Sequence, residues 1–216
     1  MALVWDIETD NFLDKLTKIH CIATLDTDTM VSHIYGPDEV EDGIRSLMAA
    51  EEIIGHNIIT FDIPAIKKLY SWFSTDGLVV TDTLVLSRLI CSDQKNDDYM
   101  QGYTQEQFPR KLHGSHSLKA WGLRLGVYKG DFGEQGWDEC TQEMLDYCQQ
   151  DVVVTHKLWT HLAPHTWSEE AIRFEHDIAQ VCDEIGQAGW TFDLDKAQEL
   201  HARLSAEKIA IEQELQ

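Results

Sequence analysis

The sequence predicts an α/β domain built on a mixed sheet, followed by a C-terminal helical extension. Three observations carry this expectation. Strand-length apolar segments come first and are then interleaved with amphipathic helices. Apolar residues make up 43% of the 216 positions and charged ones 25%, enough to bury a core. The alternation of strands and helices ends at a joint near Pro164, and the remainder of the chain reads mainly as helix.

Taken in order, Leu3-Val4-Trp5 is a short buried strand that runs into Asp6-Ile7-Glu8. Ile19, Cys21, Ala23 and Leu25 alternate with His20, Ile22 and Thr24, and Asp26-Thr27-Asp28-Thr29 turns the chain into a second stretch over 30–35, a hairpin signature. Pro37-Asp38 opens a helix to about Ala50 with Val40, Ile44, Leu47 and Met48 on one face. Ile53-Ile54-Gly55 returns as a strand, and a helix follows over 62–73. Leu78-Val79-Val80 is one more buried strand, leading directly into a helix over 83–91. The polar, turn-rich stretch 93–110 predicts a long loop, of the kind that in compact domains tends to be functional. Helices over 117–125 and 141–162 complete the alternation. Pro164 and the polar 165–168 mark a joint, dividing the chain into a domain over 1–163 and an extension over 164–216. Two helices, 169–187 and 195–216, form that extension around an extended Gly189-Trp190-Thr191-Phe192, with too little sheet pattern for a second core.

The balance of 17 Lys and Arg against 38 Asp and Glu gives a formal charge of −21. Such a charge argues against a general nucleic-acid binder, which meets phosphates with clustered bases, and leaves room for an enzyme whose carboxylates hold divalent cations. One stretch runs against the trend. From Phe108 to Gly130 there is no Asp or Glu, while Arg110, Lys111, Lys119, Arg124 and Lys129 fall there with His113 and His116. This island either meets a polyanion or is a solvated helical face. The five cysteines form no CxxC pair, so neither a disulfide framework nor a zinc site is expected. No basic leader precedes an apolar run, and no run nears the ~20 residues a bilayer span needs, so the expectation is a soluble, cytoplasmic protein without a membrane partner.

Three local patterns carry chemistry. Asp6 and Glu8 sit two apart on a strand, which places both carboxylates on one face, where their repulsion is relieved by a hard cation such as Mg²⁺ or Mn²⁺. A DxE is equally a solvated strand end. His56-Asn57-Ile58-Ile59-Thr60-Phe61-Asp62 follows a strand and opens a helix, which puts Asp62 near a strand's C-terminal edge where α/β folds gather their sites, or simply in a first helical turn. Tyr147 and Asp151 lie one helical turn apart and face the same way. Tyr147 read alone is equally a core aromatic. Asp26-x-Asp28, Asp97-Asp98 and Asp193-x-Asp195 lack the spacing of calcium loops and read as turns and caps. No HExxH, GxxxxGK[ST] or GxSxG motif is present.

The conjunction is more specific than its parts. Asp6, Glu8, Asp62 and Asp151 in that order, with Tyr147 four before the last, resemble the DEDDy 3′-5′ exonucleases, and in particular the proofreading domain of family A (Pol I-like) DNA polymerases of the phage type. Gly114-Ser115-His116-Ser117-Leu118-Lys119-Ala120-Trp121-Gly122-Leu123-Arg124-Leu125-Gly126 and Asp82-Thr83-Leu84-Val85-Leu86-Ser87-Arg88-Leu89-Ile90 are similar to segments of that group. Asn57 lies five before Asp62 rather than the bacterial four, which resembles the phage spacing. Beyond the joint, the stretch from Glu175 to Gly189 and Trp190-Thr191-Phe192-Asp193 resemble the entry to a polymerase region, and nothing after it resembles palm or fingers.

The resemblance implies an RNase H-like mixed five-stranded sheet flanked by helices. It further implies a metal-dependent enzyme releasing nucleoside 5′-monophosphates from single-stranded or frayed 3′ DNA ends, as a module of a polymerase in cis or in trans, for a phage protein in a host cytoplasm. Two divalent cations, Mg²⁺ or Mn²⁺, would be shared by Asp6, with Glu8 and Asp151 completing the site of the attacking water and Tyr147 orienting it. Asp62 would hold the second cation. Thr9 and Phe12 would contact the terminal nucleotide, although Phe12 read alone is equally a core aromatic, and Asn57, Arg110, Lys111, His116 and Lys119 the strand. The same carboxylates serve RNA-trimming enzymes resembling RNase D, and an idle polymerase-docking module is a third reading.

Overall fold

The computed structural model describes residues 1–127 and 136–215. Lys129 and Gly130 of the basic island lie outside the described residues. Five strands form one mixed sheet in the order β3-β2-β1-β4-β5. The strands are β1 (Ala2–Thr9), β2 (Ile19–Asp26), β3 (Ser32–Tyr35), β4 (Glu52–Gly55) and β5 (Val79–Asp82). β1 pairs antiparallel with β2 and β2 with β3, forming the expected hairpin, while β4 and β5 run parallel to β1. Asp26 closes the hairpin turn by accepting the backbone N–H groups of Asp28 and Thr29. The result is an RNase H-like α/β fold.

Around the sheet are α1 (Val40–Met48), α2 (Asp62–Leu69), α3 (Thr83–Ile90), α4 (Gln94–Met100), α5 (Leu118–Arg124) and α6 (Gln142–Leu162), and α7 (Glu169–Ala188) and α8 (Leu194–Glu214) follow them in the chain. Strand alternation sorts β1 between two cores. Leu3, Trp5 and Ile7 join Ile44 and Leu47 of α1 and Ile63 and Ile66 of α2 on one face. Val4 joins Cys21, Ala23, Cys148 and Val152 on the other, against α6. Each fully buried aliphatic side chain contributes roughly 1.5–3 kcal/mol through surface removed from water. Asp6 and Glu8 share the register of Val4 and therefore face α6.

The stretch 93–110 is not simply a loop. It contains α4, followed by a turn-rich segment to Pro109. Apolar periodicity could not show this helix because its inward residues are polar. Gln94 and Asp98 are buried, and Asp98 is bonded through both oxygens to Arg124 at 2.8 and 2.7 Å. Gly114 N–H and the Gln94 amide complete its shell, and the Arg124 guanidinium lies over the rings of Phe108 and Trp121. Burial pushes the Asp98 carboxyl up, but the hydrogen bonds from Arg124, Gly114 and Gln94 outweigh it and hold the group below its ordinary value. Arg124 therefore belongs to a buried pair and leaves the set of basic residues open to a polyanion.

α2 ends at Leu69, short of the expected 73, with Phe73 buried just beyond it. Met1–Asp183 form one compact unit and Glu184–Gln216 a second. The first half of α7 belongs to the first unit: Ile172 packs against Leu86, Trp121 and Leu158, and His176 is buried. In the second unit Trp190, Phe192 and Leu194 are exposed, and Asp193 caps α8 through the Lys196 N–H. All five cysteines are free, and Cys21 and Cys148 are buried. Among the described residues no helix is long and apolar enough to cross a membrane.

The Asp98–Arg124 pair yields a stability prediction. Arg124→Met strands a buried carboxylate and should lower unfolding stability by about 3–5 kcal/mol in urea denaturation. The double variant Asp98→Leu, Arg124→Met should recover most of that loss. Equal stability of the single variant and the parent would contradict the pair's role.

Candidate active site

The sequence places four carboxylates on three separate segments, and the fold brings them together. Asp6 and Glu8 stand at the C-terminal end of the central strand. β1 pairs with β4 only over Ala2–Val4, so beyond Val4 that flank of the strand is open. Asp62, the first residue of α2, fills the opening, its carboxylate accepting the backbone N–H of Ile7. Tyr147 and Asp151 arrive from α6 on the face that Asp6 and Glu8 share, and the phenol bonds the Asp151 carboxylate. Thiol Sγ of Cys148 lies 3.5 Å from the Asp6 carbonyl and 3.7 Å from its carboxylate, so one ligand atom each of Asp6, Glu8 and Cys148 falls within 4.8 Å of the others.

Burial and crowding set the protonation of this cluster. Burial, then the charges of Asp62, Glu8 and Asp151, push the Asp6 carboxyl well above its ordinary range. Burial and the neighbouring Cys21, Asp151 and Asp62 take Glu8 to about 9. Asp62 rises to about 7 through burial and the charge of Asp82, and burial alone raises Asp151 to about 7 against the Tyr147 hydrogen bond. Burial and the carboxylates also push the Tyr147 phenol up, so it remains a donor at neutral pH. No lysine or arginine figures among these influences. A cluster of this composition is relieved by hard divalent cations, and its oxygen donors suit Mg²⁺ or Mn²⁺. The residues present therefore fit such ions, Asp6 and Glu8 with the Cys148 thiol beside them lying close enough to share one.

The loop carrying Asp62 is held by a polar framework that sequence reading did not identify. Gly55 ends β4 where a Cβ would collide with the Ile58 side chain and approach the Trp5 carbonyl at 3.2 Å. Asn57 then adopts φ +66°, a left-handed conformation that Asn tolerates. Asp82 accepts the N–H groups of Asn57 at 2.8 Å and Ile59 at 3.1 Å, besides capping α3 at Leu84. His56, half-buried and depressed to about 4 by desolvation, bonds the Thr83 hydroxyl, which donates to the Gly55 carbonyl. The sequence signals for Asp82 were its position as an N-cap after a buried strand and its place at the head of the family-like stretch 82–90.

The expected nucleic-acid contacts are distributed unevenly. Thr9 is buried beside Glu8, its hydroxyl donating to the Asn11 carbonyl. Phe12 is 77% exposed, which excludes the core reading of that ring. The Asn57 amide oxygen accepts from the Thr60 hydroxyl. With His56, Arg88, Ser115 and His116, Asn57 lines a groove of about 600 Å³. His116 is half-buried and bonded to the Ser87 hydroxyl at 3.0 Å, and burial with Arg124 and Arg88 lowers its pKa. Arg110 and Lys111 are exposed on a short 3₁₀ turn, and Lys119 is half-buried on α5.

The raised carboxylates make stability depend on pH with a definite sign. Between about pH 4 and the folded values near 7 to 9 the folded state holds protons that the unfolded chain has released, so stability falls as pH rises. In EDTA the Tm should drop by several degrees from pH 5 to pH 8, and Mg²⁺ should restore it more strongly at pH 8. A metal-free Tm that rises over this interval would contradict the assigned protonation.

No protein-family model matches the chain. The DNA-directed DNA polymerase of Enterobacteria phage T3 is 34% identical over 250 residues, spanning 95% of the chain and 35% of the polymerase. That of Escherichia phage T7 is 33% identical over the same spans. The chain thus matches about a third of the length of these relatives. Among solved structures, Brucella melitensis NrnC superposes with TM-score 0.58 at 17% identity, covering 88% of this chain and 86% of that one. A form of NrnC with bound Mg²⁺ gives 0.56 at 16% identity over the same shares. Escherichia coli RNase D gives 0.53 at 13% identity, covering 85% and 45%. The chain is a homologue of the phage T3 and T7 DNA-directed DNA polymerases over about a third of their length, and it shares its RNase H-like fold with NrnC and RNase D.

Proposed function

We propose that the chain is a metal-dependent 3′-5′ exonuclease, a proofreading-type module of a DNA polymerase that shortens single-stranded or frayed 3′ DNA ends and releases nucleoside 5′-monophosphates. The observation that carries this reading is the convergence of Asp6 and Glu8 of β1, Asp62 of α2 and Asp151 of α6, with Tyr147 bonded to the last of them. Two divalent cations, Mg²⁺ or Mn²⁺, when bound supply the charge neutralisation and water acidification that phosphodiester hydrolysis requires.

The chain's own residues do the rest. Asp6, Glu8, Asp62 and Asp151 hold the cations. Tyr147 keeps its proton and so acts as a hydrogen-bond donor that orients the attacking water, with Asp151 fixing its direction. Thr9 offers backbone contact to the terminal nucleotide, and the exposed Phe12 ring lies open to wedge or stack on its base. Asn57, His116, Arg110, Lys111 and Lys119 contact the strand behind it. This division suits the −21 charge: the carboxylates would hold cations whose positive charge stands in for a basic surface. The segment 164–216, with Trp190 and Phe192 exposed, leads toward a polymerase region in cis or in trans. The setting would be a host cytoplasm.

The test is incubation with 5′-labelled single-stranded DNA and matched RNA, in Mg²⁺ or EDTA, beside the Asp6→Ala, Glu8→Ala double variant. A Mg²⁺-dependent ladder shortening from the 3′ end of DNA, reduced to background in the variant, is expected. Preferential RNA trimming would move the substrate to RNA, where the 2′-OH is the discriminator. Undiminished cleavage by the variant would overturn the site.

A further inference from the structure

β5 is an edge strand, and Asp82, its last residue, turns its backbone N–H away from β4. That N–H donates to Nε2 of His176 at 2.8 Å, across 94 residues of sequence. His176 is buried on α7, and its Nδ1 lies 2.8 Å from the Ile172 carbonyl. A carbonyl only accepts, so Nδ1 carries the proton and Nε2 presents a lone pair; the two bonds together fix the neutral tautomer and the ring's direction. The Asp82 side chain, anchored in this way, is the one that holds Asn57 and Ile59, and the loop it holds ends at Asp62. The Ile63 N–H bonds the Ile58 carbonyl at 3.0 Å, closing the turn on which Asp62 stands.

We propose that His176 is a positioning residue for the active site, setting the Asp62 carboxylate through the chain His176, Asp82 and the Asn57–Ile59 turn. The proposal rests on the nuclease reading for its kinetic consequence but not for its metal-binding one. It also gives α7 a part in the site: movement of the helix at His176 would be felt at Asp62, the only one of the four carboxylates carried by that loop. Outer residues of this sort typically alter metal affinity by about 10–100-fold when lost.

His176→Leu keeps the bulk and removes the acceptor, whereas His176→Gln retains an amide oxygen able to take the Asp82 N–H. Mn²⁺ binding, followed by electron paramagnetic resonance, is read beside the Mg²⁺ dependence of single-stranded DNA cleavage, well below each variant's Tm. His176→Leu should weaken Mn²⁺ binding about tenfold, shift half-maximal cleavage to correspondingly higher Mg²⁺ and lower kcat more than it changes KM, while His176→Gln restores most of each. Asp82→Asn, which loses one of the two oxygens, should reproduce the leucine variant's metal defect and guards against a His176→Leu protein that does not fold. A lowered Tm with parental Mn²⁺ affinity and kcat would reduce His176 to a structural role and overturn the proposal. Parental protein that binds Mn²⁺ yet cuts no DNA would fail the nuclease reading while leaving the His176 proposal to be decided by the binding arm.

Discussion

Four carboxylates gathered at the end of one buried strand repel one another and lose hydration, and much of this fold can be read as the means of keeping them there. Asp6 and Glu8 cannot leave the face they share, because alternation on β1 is locked by Leu3, Trp5 and Ile7 in one core and Val4 in the other. The repulsion is met within the protein by protonation, as the raised values of Glu8, Asp62 and Asp151 indicate. Cations offer the other relief. A site that is costly when empty binds metal more tightly for the same ligand set, since binding removes the unfavourable term.

The neighbouring architecture follows from that demand. Had β4 paired with β1 along its whole length, the Ile7 N–H would belong to the sheet and Asp62 would have no place beside Asp6. The four-residue β4, ended at a glycine that admits no side chain, leaves the opening. A tight turn then has to reverse direction within a few residues, and its backbone N–H groups find their acceptor in Asp82 rather than in water. The polar framework behind the carboxylates is thus as specific as the carboxylates themselves. Its members carry no net chemistry of their own.

How much of this was legible in the sequence depended on the physics behind each signal. Strand and helix order could be read because apolar periodicity records burial directly, and the carboxylate set could be read because DxE and Tyr147-x-x-x-Asp151 fix facing geometry within one element. Helix α4 was hidden because its buried side consists of Gln94 and Asp98, which periodicity scores as solvent-facing. Arg124 was counted with the exposed bases for the same reason: sequence shows a charge but not the partner 26 residues away. Asp82 and His176 lie 94 positions apart and meet only through tertiary packing, so no local pattern could join them. Phe12 was ambiguous between core and surface, and its exposure settled that choice.

The central claim is that the end of β1 is a divalent-cation site built from protonated carboxylates. Calorimetric titration of Mn²⁺ into the metal-free protein at pH 7, in two buffers of different ionisation enthalpy, tests it most directly. The account predicts two ions per chain, net proton release on binding as Glu8, Asp62 and Asp151 give up their protons, and loss of both in Asp6→Asn. Absence of binding at millimolar Mn²⁺, or binding without proton release that persists in Asp6→Asn, would contradict it.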